Sequence, residues 1–243
     1  MNKILKRIKS MLINKLHRVC YESKDSPTAD SFADDMKNFT EAFGHLDIHD
    51  NMIELALIWT GDGRVDDLDL AALVLNDERK ISIDSDFVYF NSKYRVKTVG
   101  AIPIFFKEAN IYSFSPSNKE GSVVLDGEFS LYLEEQGDGN CESVYVDLGK
   151  LDTEKVSSIV FCVCNYSKEF AFKYLESLTV CIYSGRTKKV LQKYSVPNFP
   201  KHTKEDVLCL GSLEYSRENK NWIFNPSLVL MFGWWNKVLE KYT

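Results

Sequence analysis

The sequence predicts an all-β protein, an antiparallel two-sheet β-sandwich with added N-terminal helices and a C-terminal helix. From residue 52 onward, short runs rich in β-branched and aromatic residues recur between clusters of Gly, Asn, Asp and Ser. Few helical crossovers separate the runs, so neighbouring strands are expected to pair antiparallel. With 243 residues and 44% hydrophobic content, the chain can bury a full core.

Composition argues against several classes of protein. The net charge of -5 is small and has the wrong sign for a folded body that mainly binds nucleic acid. Lys and Arg interrupt the start of the chain too often for a secretory signal, and no segment approaches the roughly 20 apolar residues of a membrane span. The six cysteines lack CxxC spacing and are interpreted as reduced core thiols. We therefore expect a cytoplasmic protein, with peripheral attachment at the inner membrane as an alternative.

Two amphipathic helices are predicted before the strands. Residues 3–19 place apolar side chains at steps of three and four, with Lys and Arg on the other faces. This basic helix either packs on its own domain or attaches to an anionic membrane surface or an acidic partner, and packing is favoured because it stabilises most short helices. Apolar residues from Phe32 to Leu46 predict a second helix that ends near Gly44. Residues 1–48 are thus predicted to form an N-terminal helical extension.

The predicted sandwich domain spans residues 50–243. Its strand-like runs cover residues 52–59, 70–75, 86–91, 121–125, 142–148, 157–164, 177–185, 189–196, 205–216 and 221–226. Residues 92–118 break the series with an apolar stretch of their own, and we interpret them as an insertion, a hairpin that covers one sheet. Residues 227–243 include Trp234 and Trp235 and are predicted to form a C-terminal helix that docks through its aromatic side chains.

Acidic or amide side chains recur at every second position beside the strand-like runs. Three segments share this spacing: Asp67 and Asp69, Asp84 and Asp86, and Asp138 with Asn140 and Glu142. Because strand side chains alternate between faces, residues two apart point the same way. Each pair by itself is typical of a solvated turn. Three such segments brought together by a sandwich would repel one another unless a cation lay between them.

Calcium is the expected cofactor, since it takes six to eight oxygen ligands at flexible geometry. Zinc fits poorly, because it prefers His and Cys ligands. No His flanks the carboxylates, and Cys141 is the only cysteine that does. Magnesium remains an alternative, although the phosphate-binding loop that often accompanies it is missing from the sequence. The segment that begins at Asp138 is not an EF-hand, because Ser143 stands where the turn glycine belongs and Gly149 where the final Glu belongs.

The sequence carries none of the common catalytic motifs, such as GxSxG, HExxH or a P-loop. His45 and His49 have the spacing of a helical metal pair, but Gly44 indicates that the helix has ended, so both are predicted to lie in loops. The cysteines lack an obvious His partner. We therefore expect a protein that is not an enzyme, with a hydrolase that uses a metal-activated water as the alternative.

The order of these segments resembles the tellurite-resistance TerD family of calcium-binding β-sandwich proteins. The similarity runs from about residue 52 to residue 226, and the acidic pairs followed by DFVYFN are its most specific part. The resemblance implies calcium bound by acidic residues of the three segments, no known catalytic reaction, and a role in bacterial stress defence against tellurite, other toxic agents or phage. The expected partners are other proteins of a stress-response complex, and no nucleic acid is expected.

Carried over residue by residue, the matching metal ligands are Asp67, Asp69, Asp84, Asp86, Asp138 and Glu142. Glu128 is a weaker candidate, because the family tends to have Asp at that position. Thr60, Asn140 and Cys141 replace acids of the family pattern. Fewer charged ligands would weaken calcium binding or remove one of two sites. The alternative function is a calcium-dependent peripheral membrane-binding module, in which residues 3–19 add electrostatic attraction to anionic lipid.

Overall fold

The computed structural model describes residues 44–61, 68–99, 102–103, 113–125, 140–165, 171–196, 206–231 and 233–243. The strands are β1 Leu46–Ile48, β2 Met52–Gly61, β3 Leu68–Leu75, β4 Phe87–Val88, β5 Tyr94–Val99, β6 Ile102–Pro103, β7 Ser113–Ser117, β8 Val123–Leu125, β9 Asn140–Asp147, β10 Ser158–Asn165, β11 Leu175–Ser184, β12 Val190–Val196, β13 Val207–Ser216 and β14 Asn221–Met231. One α-helix, α1, spans Trp235–Tyr242 in this part of the chain, and 3-10 helices span Asp84–Asp86, Leu148–Lys150 and Ala171–Tyr174.

The strands form two antiparallel sheets. Sheet A has six strands in the order β1-β14-β13-β10-β3-β4, and sheet B has eight in the order β12-β11-β2-β9-β8-β7-β5-β6. The predicted two-sheet architecture and the C-terminal helix are therefore confirmed. The helices predicted for residues 3–19 and from Phe32 onward fall outside the described residues.

Side chains from the facing surfaces of both sheets form the main core. Alternate residues of β2, among them Leu55 and Leu57, are fully buried there with alternate residues of β10 and β14. The ring centroids of Phe161 and Phe224 lie 6.4 Å apart within it. Burying one such side chain contributes about 1.5–3 kcal/mol. This period-2 burial is why the alternating runs of the sequence become strands.

A second hydrophobic cluster lies on the outer face of sheet A, beneath α1. It joins alternate residues of β3, β10 and β13 to Trp235, Val238 and Leu239 of the helix. The ring of Trp235 meets Phe87 edge-on at 5.6 Å, and the N–H of Ile81 donates to the carbonyl of Tyr242 at 2.7 Å. β3 and the described side chains of β10 are thus buried on both faces. No helix in the described residues, α1 included, is long and apolar enough to cross a membrane.

Two predicted segments take a different form from the one expected. The run 86–91 contains only the two-residue strand β4, because the preceding residues Asp84–Asp86 wind into a 3-10 helix. Within residues 92–118, the described strands β5, β6 and β7 lie in sheet B and do not cover its face. β5 pairs with β7 and β7 pairs with β8, so these strands extend sheet B at its edge. Pairing with the edge of the sheet satisfies the backbone N–H and C=O groups of these strands. Sequence periodicity does not reveal with which edge a strand pairs.

Two element boundaries also differ from prediction. β14 continues to Met231, paired with Val207 of β13, so α1 begins only at Trp235. Leu46, which the pattern assigned to the end of a helix, lies in β1 and pairs with Phe224. His45 and His49 flank β1 in loops, as predicted.

Gly211 marks a β-bulge that β13 forms against β10 and β14. A Cβ atom there would lie 2.7 Å from the carbonyl oxygen of Asn225 and 2.7 Å from the ring of Phe224. We expect Gly211→Ala to lower the free energy of unfolding by about 1–3 kcal/mol, as measured by urea denaturation, because the bulge cannot absorb the added methyl group. The control is Gly149→Ala, whose Cβ would lie 3.4 Å from Oδ1 of Asp147 and 3.9 Å from Cβ of Asn51, at ordinary contact distances. Equal losses in the two variants would contradict this account.

Candidate metal site

One hydrogen bond brings two of the predicted acidic segments together across the sandwich. The carboxylate of Glu142, on β9 of sheet B, accepts a hydrogen bond from the backbone N–H of Leu70, on β3 of sheet A. That N–H belongs to the peptide bond that follows Asp69. The start of β9 and the start of β3 therefore lie at the same end of the sandwich, with Glu142 beside the main chain of Asp69.

The strand pairings fix the surroundings of these residues. Asp69 pairs with Cys164 near the end of β10 and is buried, with 6% of its surface exposed. Asn140 pairs with Trp59 near the end of β2 and is exposed, while Glu142 is partly buried. Leu68 and Leu70 belong to the main core, whereas Ala71 and Cys164, the partner of Asp69, belong to the outer cluster, so alternation places Asp69 on the outer face of sheet A. Glu142 shares the inner face of β9 with Val144, and it meets β3 at the main chain beside Asp69.

The donor chemistry at this end suits a hard cation. Asp69, Asn140 and Glu142 offer carboxylate and amide oxygens, the ligand types of calcium and magnesium. Among the residues that the structure describes, no group of three or more His, Cys, Asp or Glu side chains is close enough to hold a metal ion. Asp67, Glu128 and Asp138 fall in residues 62–67 and 126–139, outside the described part of the chain. The described residues by themselves therefore do not form a metal site.

The other described pair of candidates lies elsewhere along β3. Phe87 pairs with Leu73, so the 3-10 helix Asp84–Asp86 lies beside the C-terminal end of β3, whereas Asp69 lies near its start. The expectation that Asp84 and Asp86 alternate along a strand is wrong. The register therefore places this turn apart from the end where Asp69 and Glu142 meet.

The carboxylate of Asp86 forms hydrogen bonds within its own turn. Its Oδ2 atom accepts hydrogen bonds from the backbone N–H groups of Ser82 and Ile83, at 3.2 Å and 3.1 Å. Burial nevertheless raises the pKa of Asp86 to about 6, against the lowering effect of the Ile83 and Ser82 hydrogen bonds, and the charge of Glu120 adds to the rise. This side chain therefore closes the turn at an energetic cost when it is ionised.

Thr60 occupies the position where a carboxylate was expected from the resemblance. Its hydroxyl shares a hydrogen bond of 2.7 Å with the hydroxyl of Ser177 on the neighbouring strand β11. A neutral hydroxyl pair replaces a charged ligand there. The end of β2 thus carries less negative charge than the family pattern.

Sequence reasoning missed a partly buried ion pair on sheet B. Glu54 is 1% exposed, and its Oε2 atom lies 3.5 Å from Nζ of Lys188. The same ammonium group lies 5.1 Å from the centroid of the Tyr145 ring, at cation–π distance. The lone acid within the apolar run MIELALIW was the available signal, since a buried charge needs a partner. Lys188 follows a turn far along the chain, which a single sequence does not link to Glu54.

Comparison with known proteins supports the fold. A family model described as the TerD domain matches residues 46–227. A protein of unknown function, SAV2460, has a crystal structure similar to this chain, with a TM-score of 0.50 and 16% identity over 76% of this chain and 92% of that one. The crystal structure of SCO6318 from Streptomyces coelicolor A3(2), described as a homologue of telluride resistance protein (TerD), has a TM-score of 0.50 and 12% identity over the same shares. No curated protein matches the chain.

The raised pKa of Asp86 predicts a specific pH dependence of stability. Because the folded-state pKa of about 6 exceeds the unfolded value, the folded state binds the proton more tightly, and stability falls as pH rises from about 4 to about 6. Asp86→Asn keeps an oxygen for both N–H groups but carries no charge. We expect it to raise the free energy of unfolding at pH 7 by about 1–2 kcal/mol, after a discount for solvent screening, and to flatten the dependence below pH 7.

Urea denaturation at several pH values between about 4 and 7 measures this effect. Asp84→Asn is the control, since it removes an equal charge from the same turn. A loss of stability at neutral pH in Asp86→Asn, or an unchanged pH profile, would refute the assignment.

Proposed function

The chain belongs to the TerD domain family, and on this premise we propose that it is a non-enzymatic calcium-binding β-sandwich module in a bacterial stress-response assembly. The stress we propose is exposure to tellurite, other toxic agents or phage. The observation that carries the calcium proposal is the contact of Glu142 with the N–H of Leu70, beside the buried Asp69.

The proposed ligands lie at the end of the sandwich where β3 and β9 begin. Asn140 and Glu142 would supply oxygens there from one face of β9, Asp69 would supply one from the start of β3, and Asp67 and Asp138 flank them in the sequence. The pairing of β3 with β10 holds the backbone of Asp69, and the hydrogen bond to Leu70 holds the carboxylate of Glu142. Bound calcium would neutralise this end and tie the starts of β3 and β9 together.

The remaining candidate ligands lie outside this central set. Glu128 is a secondary ligand, on the same segment as Asp138. Asp84 and Asp86 belong to a separate turn, where Asp86 already accepts two backbone hydrogen bonds. We propose that their contacts lie within that turn and that they contribute little to the binding of the calcium ion at the other end of β3.

We propose a protein-binding role rather than a catalytic one. Calcium that fixes the loops at one end would set the shape of a surface for another protein of the same complex, and stabilise the folded state by mass action. The proposed location is the cytoplasm. The membrane alternative depends on residues 3–19, which fall outside the described residues, so no described contact favours it.

The calcium proposal predicts the outcome of a paired mutation test. Calcium should release or absorb heat on titration into the chelator-treated protein and raise its melting temperature. The double variant Asp69→Asn, Glu142→Gln should lose at least about tenfold in affinity, which corresponds to about 1.4 kcal/mol, because two charged ligands become neutral. Isothermal titration calorimetry and thermal melts with and without chelator measure both effects.

The matched control is Asp84→Asn, Asp86→Asn, which removes two charges from the turn at the other end of β3. We expect it to retain calcium binding. If only that control lost calcium binding, the ion would have to lie at the turn instead. If the unmodified protein showed neither heat of binding nor a melting shift, calcium binding would be excluded. Magnesium, titrated in parallel, is expected to give the smaller shift, since it demands stricter octahedral geometry.

A further inference from the structure

Two cysteines stand directly opposite each other in sheet A. Cys162 on β10 pairs with Cys209 on β13, and their Sγ atoms lie 2.9 Å apart and share a hydrogen bond. Opposite residues of antiparallel strands have Cα atoms about 4.5–5.5 Å apart, within the range of about 4.4–6.8 Å that disulfides use. A disulfide bond is about 2.05 Å long, so closing it needs sulfur movements of only about 1 Å.

From this juxtaposition we propose that Cys162 and Cys209 form a thiol-oxidation site, which hydrogen peroxide converts into an intramolecular disulfide between β10 and β13. The inference does not depend on the calcium proposal, because the dithiol lies in the cluster beneath α1 and shares no residue with the proposed ligand set.

The helix α1 covers the dithiol. Cys162 is 0% exposed and Cys209 4% exposed, and both belong to one cluster with Trp235, Val238 and Leu239. Only a small oxidant reaches sulfur atoms buried to this degree, unless α1 moves away from the sheet. Hydrogen peroxide meets this requirement by its size.

The two thiols share a hydrogen bond, and each affects the acidity of the other. The hydrogen bond shared with Cys162 lowers the pKa of Cys209, with a further contribution from the charge of Lys241. Burial, the largest cause, raises the pKa of the Cys162 thiol. We assign Cys209 as the nucleophile and Cys162 as the thiol that resolves the intermediate, and the disulfide between them is the same if the order is reversed.

The chemistry balances with peroxide as the two-electron oxidant. The Cys209 thiolate attacks one peroxide oxygen, the O–O bond breaks, and a sulfenic acid forms while the departing hydroxide takes the thiol proton as water. The Cys162 sulfur then attacks the sulfenic sulfur, and hydroxide leaves with the Cys162 proton as a second water. Two thiols thus lose two electrons and two protons, and one peroxide becomes two waters.

Other cysteines in the described residues do not face a cysteine across the sheet. Cys164 pairs with Val207 and Asp69, Cys181 with Ala56 and Lys193, and Cys141 with Ile58. Cys164 is buried like Cys162, lies two residues along the same strand and belongs to the same cluster. Cys164→Ala is therefore a closely matched control for Cys162→Ala.

The test is a peptide map of the full, folded chain. Protein treated with hydrogen peroxide is alkylated to block the remaining thiols, digested without reductant and analysed by mass spectrometry. We expect one disulfide-linked pair of peptides, one with Cys162 and the other with Cys209, that separates on reduction. Cys164→Ala should keep the link, whereas Cys162→Ala and Cys209→Ala should lose it.

The map of the unmodified protein does not depend on the folding of any variant. Circular dichroism of each variant accompanies it. The proposal is overturned if peroxide oxidises the partly exposed Cys141 while Cys162 and Cys209 are both recovered in alkylated form, which shows that they were still thiols after the treatment. It is overturned equally if the link persists in Cys162→Ala through Cys164, since the register then no longer decides which thiols react.

Discussion

The burial of β3 and β10 on both faces is the constraint on which the rest of this structure depends. Their inner faces pack against sheet B, and their outer faces pack against α1. A strand with two apolar faces is stable in a water-soluble fold only if both faces are buried. The second sheet buries one face of these strands, so the other face needs a further cover. α1 provides the second cover, and the bond between Ile81 and Tyr242 fixes its last turn to the body.

That constraint also determines where charge can lie. Apolar side chains fill the middle of β3, so the acidic groups lie at its two ends. Asp69 is near the N-terminal end of the strand, and Asp84–Asp86 lies beside the C-terminal end. At the first end, Glu142 reaches from sheet B to the main chain of sheet A. At the second, Asp86 accepts hydrogen bonds from its own turn. The proposed calcium ion would therefore join the two sheets where they already share a polar contact.

The proposed oxidation site follows from the same double burial. Cys162 and Cys209 are small apolar residues that fit between sheet A and α1, as core thiols often do. Their opposition across two strands converts ordinary packing residues into a chemically competent pair. Because α1 covers them, oxidation of the dithiol and docking of the helix would be coupled, at a distance from the acidic end of the sandwich.

The sequence by itself determined the local features: runs rich in β-branched and aromatic residues identified β2, β3, β8, β9, β10, β11, β12, β13 and the first part of β14, and the aromatic C-terminal segment identified α1. It also located the acidic segments, of which Asp69, Asn140 and Glu142 now lie at one end. Only the tertiary structure decided that Asp84–Asp86 forms a 3-10 helix, that β5 and β7 extend sheet B, and that Cys162 faces Cys209. The physical reason is that side-chain alternation depends on neighbours along the chain, whereas strand register depends on partners far away in sequence, and a single sequence does not record which partners meet.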